Sequence, residues 1–206
     1  MQGGTRITVN DFLMTVMSKT IGDYASSVKA SNEPEMEHIN IACPVSLRPK
    51  PSKVGDFVFN NCFAGVLIKL PIVRSITEGV KVINKDMLEL KKSFLDPFAF
   101  KFSYKISGFL PRCVTAGSFE DFPLKLTFCY SNVPGPRNAV MIAGSKCHAT
   151  GLVSPCPRTQ VGSFSIMSHV DVIKIVICLD KAVMKDPNEL TSLLARNIDQ
   201  ELQTSL

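Results

Sequence analysis

The chain has 206 residues, 45% of them hydrophobic, with a mean hydropathy of +0.16 and a formal net charge of +5. That length suits one domain or half of a two-domain enzyme, and so apolar a composition excludes a disordered chain. No uncharged apolar run approaches the roughly 20 residues a spanning helix needs, and the opening MQGGTR lacks the apolar core of a signal peptide.

Thr8 to about Ala30 carries the first helical pattern. Val9, Phe12, Leu13, Val16, Met17, Ile21 and Tyr24 recur at steps of three and four, one apolar stripe. Thr8 reads as the N-cap and Asp11 as its capping-box partner at the third helical position. Asn10 and Asp11 then fall in the first turn, where free backbone N–H groups gather. The polar SNEPEMEH run is a loop. His38–Leu47 alternates, with Ile39, Ile41, Cys43 and Val45 on one face, and reads as a strand running into Arg48-Pro49. After KPSKVGD, Phe57–Leu70 is β-prone but interrupted by Asn60-Asn61, a pair that suits a bulge or a functional contact.

Ser75 to about Leu95 is helical, with Ile76, Val80, Ile83, Met87, Leu90 and Phe94 inside, and Asp96-Pro97 stops it. In 98–116, FAFKFSYKI alternates like a strand, yet a short apolar run equally suits a buried helix, the reading adopted here. Residues 69–112 hold nine Lys/Arg against four Asp/Glu, while 1–68 hold six of each and 113–206 eight of each, so the whole +5 falls in this segment. A solvated helix face with an apolar underside explains it. Interleaved with Phe94, Phe98, Phe100, Phe102 and Phe109, the charge also suits an anionic membrane surface or the phosphates of a cofactor. No recognition motif points to nucleic acid.

Four strand-like segments follow: Leu124–Tyr130, Ala139–His148, Gly162–His169 and Val172–Leu179. Asp186 caps the last helix, Pro187 takes its first position and Glu189 closes the box, with Leu190, Leu193, Leu194, Ile198 and Leu202 as the inner stripe. The order α-β-β-α-(α)-β-β-β-β-α describes an α/β fold, a mixed β-sheet with packed helices. Seven cysteines (Cys43, Cys62, Cys113, Cys129, Cys147, Cys156 and Cys178) form no C-x-x-C pair and mostly sit in apolar runs. Buried, reduced thiols and an intracellular, reducing compartment are expected.

Chemistry is sparse. Gly-x-Ser-x-Gly, glycine-rich phosphate loops and metal-ligand spacings are missing, so no bound cofactor or metal is expected. The three histidines lie apart in sequence. His169 and Asp171 make an H-x-D, an orienting pair in some catalysts, but SHVD between two strands equally reads as a hairpin turn. The chain offers no general base with a partner.

The stretch SNVPGPR (131–137) is the stiffest corner in the sequence. Val133 precedes a proline and is forced extended, and Pro134 and Pro136 fix two φ angles around Gly135. Ser131 and Asn132 would be displayed with little freedom, an arrangement that suits hydrogen bonding to a reacting carbonyl. A loop that merely turns between strands is the alternative.

In order, TVNDFL (8–13), PVSLRP (44–49), VGDFVFNN (54–61), SNVPGPR (131–137), SHVDVIKIVICLD (168–180) and DPNEL (186–190) resemble the C-terminal half of the wax ester synthase and acyl-CoA:diacylglycerol acyltransferase family, over about residues 6–202. The resemblance implies one half of a chloramphenicol-acetyltransferase-like enzyme, a two-layer sandwich facing its partner half across a channel. It implies transfer of an acyl group from acyl-CoA, the co-substrate, to a fatty alcohol or diacylglycerol. The family's base is the second His of HHxxxDG in the N-terminal half, a motif this sequence lacks, so the missing N-terminal half becomes an expected partner. Peripheral association of the cytoplasmic protein with a membrane or lipid droplet, through 69–112, is the expected location.

Residue by residue, Asn10 and Asp11 match the family's ND motif, and Pro44, Val45, Ser46 and Arg48 its PVS-x-R segment. Asn61 matches the Asn of its Gly-Asn pair, with Asn60 in place of the glycine, and Ser131 to Pro136 match its crossover corner. His169 stands where the family has Tyr. Asn10, Asp11, Ser131 and Asn132 become channel or oxyanion candidates; Ser46, Arg48, Asn61, Pro134 and Gly135 become substrate-binding candidates. A non-catalytic lipid-binding or membrane-associated scaffold built on the same fold is the rival expectation.

Overall fold

The structure, a computed structural model, describes residues 6–48, 53, 56, 63–94, 109, 111, 126–155, 160–184 and 186–204. In chain order they form α1 (Val9–Val28), β1 (His38–Ser46), β2 (Phe63–Pro71), α2 (Ile76–Phe94), β3 (Phe128–Val133), β4 (Met141–Ile142), β5 (Ser145–Lys146), β6 (Gly162–His169), β7 (Val172–Leu179) and α3 (Pro187–Thr204). The start of the expected 57–70 strand, the Asn60-Asn61 pair and all of 98–116 except Phe109 and Pro111 lie outside the described residues. Two compact units emerge, one drawn from Met1–Ile39, Lys69–Asp121 and Leu179–Leu206, the other from Asn40–Ile68 and Phe122–Cys178.

The first unit contains the three helices. Thr8 caps α1 as its sequence predicts: Asp11 N donates to Thr8 Oγ1 at 3.3 Å, and Asp11 Oδ2 accepts from Thr8 N at 2.9 Å and from Thr8 Oγ1 at 2.8 Å. The same oxygen accepts from Asn84 Nδ2 at 2.7 Å, so the cap ties the first turn of α1 to α2. The expected single stripe understates the burial of α1. Thr15, Ser18 and Thr20 are as deeply buried as Met14 and Val16, while Val9 stands 60% exposed ahead of the packed turns. Burial of these hydroxyls is tolerated because each has a partner: Thr15 and Thr20 donate to the carbonyls of Asp11 and Val16, and Ser18 to that of Pro71.

On α2, Ile76, Val80, Ile83 and Met87 are buried, whereas Lys81 and Lys85 lie exposed among Glu78, Asp86 and Glu89. Lys81 and Lys85 of the basic segment therefore sit on a solvated helix face. α3 begins on the expected cap, Asp186 Oδ1 accepting from Asn188 N at 3.0 Å and Glu189 N at 3.1 Å. Leu190, Leu193 and Leu194 are buried, but Leu202, expected inside, is 55% exposed because the helix outruns its packing. Buried Asn197 donates to Thr20 Oγ1 at 3.1 Å and Asp23 Oδ2 at 3.0 Å, joining α3 to α1.

The second unit is built on the five-stranded sheet, in the order β2-β1-β3-β6-β7. β1 pairs with β3, and β3 with β6, in parallel, the latter from Phe128↔Gly162 to Val133↔Met167. Only two residues join β6 to β7, which therefore run antiparallel, and the sheet is mixed. β3 is displaced from the expected Leu124–Tyr130 because its ladder with β6 continues to Val133 and draws Ser131 and Asn132 into the strand. Phe128, Tyr130, Phe164 and Ile166 are buried on one face, with the Phe128 and Phe164 rings edge-to-face at 5.5 Å. The opposite face carries Cys129, Ser131, Ser163 and Ser165, and Ser154 lies over it, its carbonyl accepting from Ser163 Oγ at 2.8 Å and its N–H donating to Ser165 Oγ at 3.2 Å.

Two expectations are corrected here. The strand expected over Ala139–His148 is a two-stranded hairpin turning at Ala143-Gly144, both with positive φ (49° and 81°), the geometry of a tight two-residue loop. The cysteines among the described residues, Cys43, Cys129, Cys147 and Cys178, are free but half-buried rather than fully enclosed. β7 explains one of them, since it is the sheet's edge strand and Cys178 lies on it.

Candidate functional site

Where β3 ends, its last residues and the turn beyond meet the end of β1 and the start of β2 in an open groove of about 260 Å³. Ser131, Asn132, Val133 and Pro134 form one side, Pro44, Ser46 and Arg48 another, and Phe63 stands at the start of β2. Five residues singled out from sequence, Ser46, Arg48, Ser131, Asn132 and Pro134, are thus brought together although 83 positions separate Arg48 from Ser131. Ser131 is buried and Asn132 exposed, as neighbours on a strand are.

The proline corner owes its stiffness to docking on β6. Gly135 N donates to Ser168 Oγ at 3.0 Å, and a Cβ at Gly135 would run into the Ser168 carbonyl oxygen, so only glycine allows this approach. Pro136 O accepts from Val170 N at 2.9 Å. Val170 has φ 53°, an unusual conformation for a β-branched residue, and the bond to Pro136 helps hold it. The corner is therefore pinned at two points, and Ser131 and Asn132 are presented from a backbone with little freedom.

His169 closes β6 and is 3% exposed. Its Nε2 faces Cys147 O at 3.1 Å and so carries the proton, while Nδ1 accepts from Thr150 Oγ1 at 3.1 Å. Both nitrogens are committed to the segment crossing the sheet, and Asp171 sits in the exposed turn; the hairpin reading of SHVD holds. Burial pushes the Cys43 thiol up to about 11, the neighbouring Cys129 adding to the effect. Burial also raises Cys129, against a hydrogen bond from Ser154 that lowers it. Neither is a ready thiolate.

In the helical unit, Asn10 is half-buried in the first turn of α1, its Nδ2 3.7 Å from Met14 Sδ, and Asp11 is fully buried in the cap. Asn61 lies outside the described residues. Two larger cavities open on the same unit. One of about 950 Å³ is rimmed by Glu33, Glu35 and Glu37, and one of about 450 Å³ contains the Lys19–Asp23 ion pair; neither gathers the residues singled out from sequence. Sequence reasoning missed Phe63 as a groove residue, although continuing the alternation of β2 back to its start would have put Phe63 outward with Gly65 and Leu67.

Chemically, the groove offers hydroxyl, carboxamide and guanidinium donors, and its described lining contains no imidazole, carboxylate or thiol. These described residues can polarise or hold an oxygen bearing negative charge, and none of them is a proton-abstracting base. Among the described residues, no three His, Cys, Asp or Glu side chains cluster as a metal site, and no helix is long and apolar enough to cross a membrane.

The profile of the WS/DGAT C-terminal domain matches residues 59–201. Wax ester synthase/diacylglycerol acyltransferase 8 of Arabidopsis thaliana is 24% identical over 89% of this chain and 43% of its own length. A Mycobacterium tuberculosis protein bearing the name of a diacylglycerol O-acyltransferase is 21% identical over 81% of this chain and 33% of its own. Among solved structures, the wax ester synthase/diacylglycerol acyltransferase of Marinobacter aquaeolei VT8 superposes on 97% of this chain and 44% of its own, with a TM-score of 0.63 at 18% identity. That likeness shows the fold and agrees with the two-layer α/β acyltransferase architecture expected from the sequence. The chain spans less than half the length of each of these relatives.

Proposed function

The chain belongs to the WS/DGAT C-terminal domain family, and on that premise we propose that it forms the C-terminal half of an acyl-CoA-dependent O-acyltransferase that esterifies a fatty alcohol or diacylglycerol. The convergence of Ser46, Arg48, Ser131, Asn132 and Pro134 on one groove supports this reading. The acceptor hydroxyl attacks the thioester carbonyl directly, and negative charge develops on the carbonyl oxygen. Ser131 Oγ–H donates to it from a backbone that needs no reorganisation, and Asn132, the next residue of the strand, lines the same groove. A histidine supplied by an N-terminal half takes the hydroxyl proton, and collapse of the tetrahedral adduct breaks the C–S bond and expels the CoA thiolate, which takes that proton up as the thiol; the described lining of the groove offers donors and no base. Asn10, on the helical unit, is a candidate donor by its match to the family's ND motif, and Asp11 holds the turn that carries it.

Co-expression with an N-terminal half containing HHxxxDG, assayed for wax ester and triacylglycerol from acyl-CoA, tests the proposal. Ester formation by the pair, with none by the isolated chain, is expected. Ser131→Ala with Asn132→Ala in the pair lowers kcat about 10- to 1,000-fold while substrate still binds, the effect of deleting oxyanion donors. A pair that assembles and binds acyl-CoA without making ester points to the lipid-binding scaffold instead.

A further inference from the structure

The parallel ladder between β3 and β6 runs through Ser131↔Ser165 and Asn132↔Ile166 and ends at Val133↔Met167. It cannot continue, because Pro134 and Pro136 have no backbone N–H to donate. Across Pro134, Gly135 and Pro136 the backbone keeps one donor, the Gly135 N–H, and that donor goes to a side chain: Ser168 Oγ accepts it at 3.0 Å. Ser168 follows Met167 on β6, so its hydroxyl takes over at the step where the backbone ladder stops. The approach is close, since a Cβ at Gly135 would meet the Ser168 carbonyl oxygen at 1.7 Å and Met167 Cγ at 3.4 Å. The other tie of the corner, Val170 N to Pro136 O, is backbone to backbone; the tie at Ser168 depends on a side chain. Ser131 lies two residues before the end of the ladder and Pro134 one residue after it, and both line the groove. Strand ends open more readily than strand middles, so whatever holds Gly135 sets how firmly Ser131 is presented.

We propose that Ser168 is a positioning residue for the acyl transfer: by accepting from Gly135 N–H it locks the end of β3 and keeps the Ser131 hydroxyl aimed at the carbonyl oxygen that gains charge. The inference rests on the acyltransferase reading and deepens it. Ser168 is not among the described residues lining the groove, so it acts through the corner and not on the substrate. An oxyanion donor is effective only where the charge develops, and a displacement of about 1 Å can cost roughly 100-fold in rate. Binding is shared by the rest of the groove, so loss of the tie falls on kcat and spares KM. Alanine at 168 removes the acceptor and leaves the Gly135 N–H without it. Threonine keeps a hydroxyl and suits a strand.

Two readouts test it. In the full chain, amide hydrogen exchange at Gly135 should accelerate about tenfold or more in Ser168→Ala and return to within about threefold of the native rate in Ser168→Thr, with the Tyr130 amide unchanged. In the pair reconstituted with an HHxxxDG half, Ser168→Ala should lower kcat about tenfold with KM for palmitoyl-CoA within about twofold, and Ser168→Thr should restore at least about half of the native kcat. Asn197→Ala, which weakens the helical unit without touching the corner, should keep its kcat per folded molecule. In a Ser131→Ala background the further change Ser168→Ala should cost less than about threefold, because the residue it positions is already gone. Unchanged exchange at Gly135, a full tenfold loss in the Ser131→Ala background, or a kcat in Ser168→Thr as low as in Ser168→Ala each overturns the proposal. So does a loss that only tracks the unfolded fraction, as the Asn197→Ala control would reveal. Ester synthesis with native kcat in Ser168→Ala rejects the role of Ser168 alone. No ester from the native pair rejects the acyltransferase reading, and the exchange of Gly135 still decides whether Ser168 holds the corner.

Discussion

Asp11 accepts from the Thr8 backbone, the Thr8 hydroxyl and Asn84 on one buried oxygen, so its removal leaves three donors without that partner. We expect Asp11→Ala to lower stability by about 2–3 kcal/mol, from a lost cap and lost charge-assisted bonds, read as a lower urea midpoint with unchanged slope. Asn10 beside it contacts the weak acceptor Met14 Sδ. Asn10→Ala should cut turnover of the assembled protein without unfolding it, and unchanged turnover would remove Asn10 from the mechanism. Gly135→Ala drives a methyl into the Ser168 carbonyl and should destabilise by about 1–3 kcal/mol, with loss of activity from the displaced corner. The Cys43 thiol, pushed up to about 11, stays protonated in the fold while an unfolded thiol ionises near 9. Its contribution is complete below about pH 9 and is lost as pH rises to 11, at most roughly 2–3 kcal/mol. Cys43→Ala should flatten that decline in pH-dependent unfolding.

Several elements were legible because their signals are local. The Thr8 cap, the Asp186 cap and the β6–β7 hairpin appear where the sequence places them, since capping and two-residue turns involve residues within three or four positions. β3 was misplaced because its end is set by register against β6, whose partners lie more than thirty residues away. The Ala139–His148 run failed for another reason: its β-formers surround Ala143-Gly144, and a left-handed alanine has no strong sequence signature. The union of α1 and α3 is also non-local, Asn197 reaching Thr20 and Asp23 across 177 and 174 positions. Asn197→Ala removes both bonds from a buried amide site and should lower the melting temperature, by about 1–3 kcal/mol in stability, with no effect on acyl-CoA binding.

For the molecule as a whole, a TM-score of 0.63 at 18% identity shows a shared fold where residue identities have drifted. The +5 charge is concentrated in 69–112, part of which is the solvated face of α2. We expect the chain to float with anionic liposomes, and Lys91→Glu with Lys92→Glu to weaken flotation severalfold, most at low salt. Indifference to anionic lipid would leave the segment as a solvated face alone.

Sequence by itself determined the α/β class, the helix starts and the rigidity of the proline corner, because each follows from neighbours along the chain or from composition. Only the tertiary structure decided that Ser46 and Arg48 share a groove with Ser131 and Asn132, that Asp11 is consumed by a cap and an interhelical bond, and that Phe63 and Leu67 face outward together. Those facts depend on strand order and on which side of a strand is covered, and both are set by contacts between residues far apart in the chain.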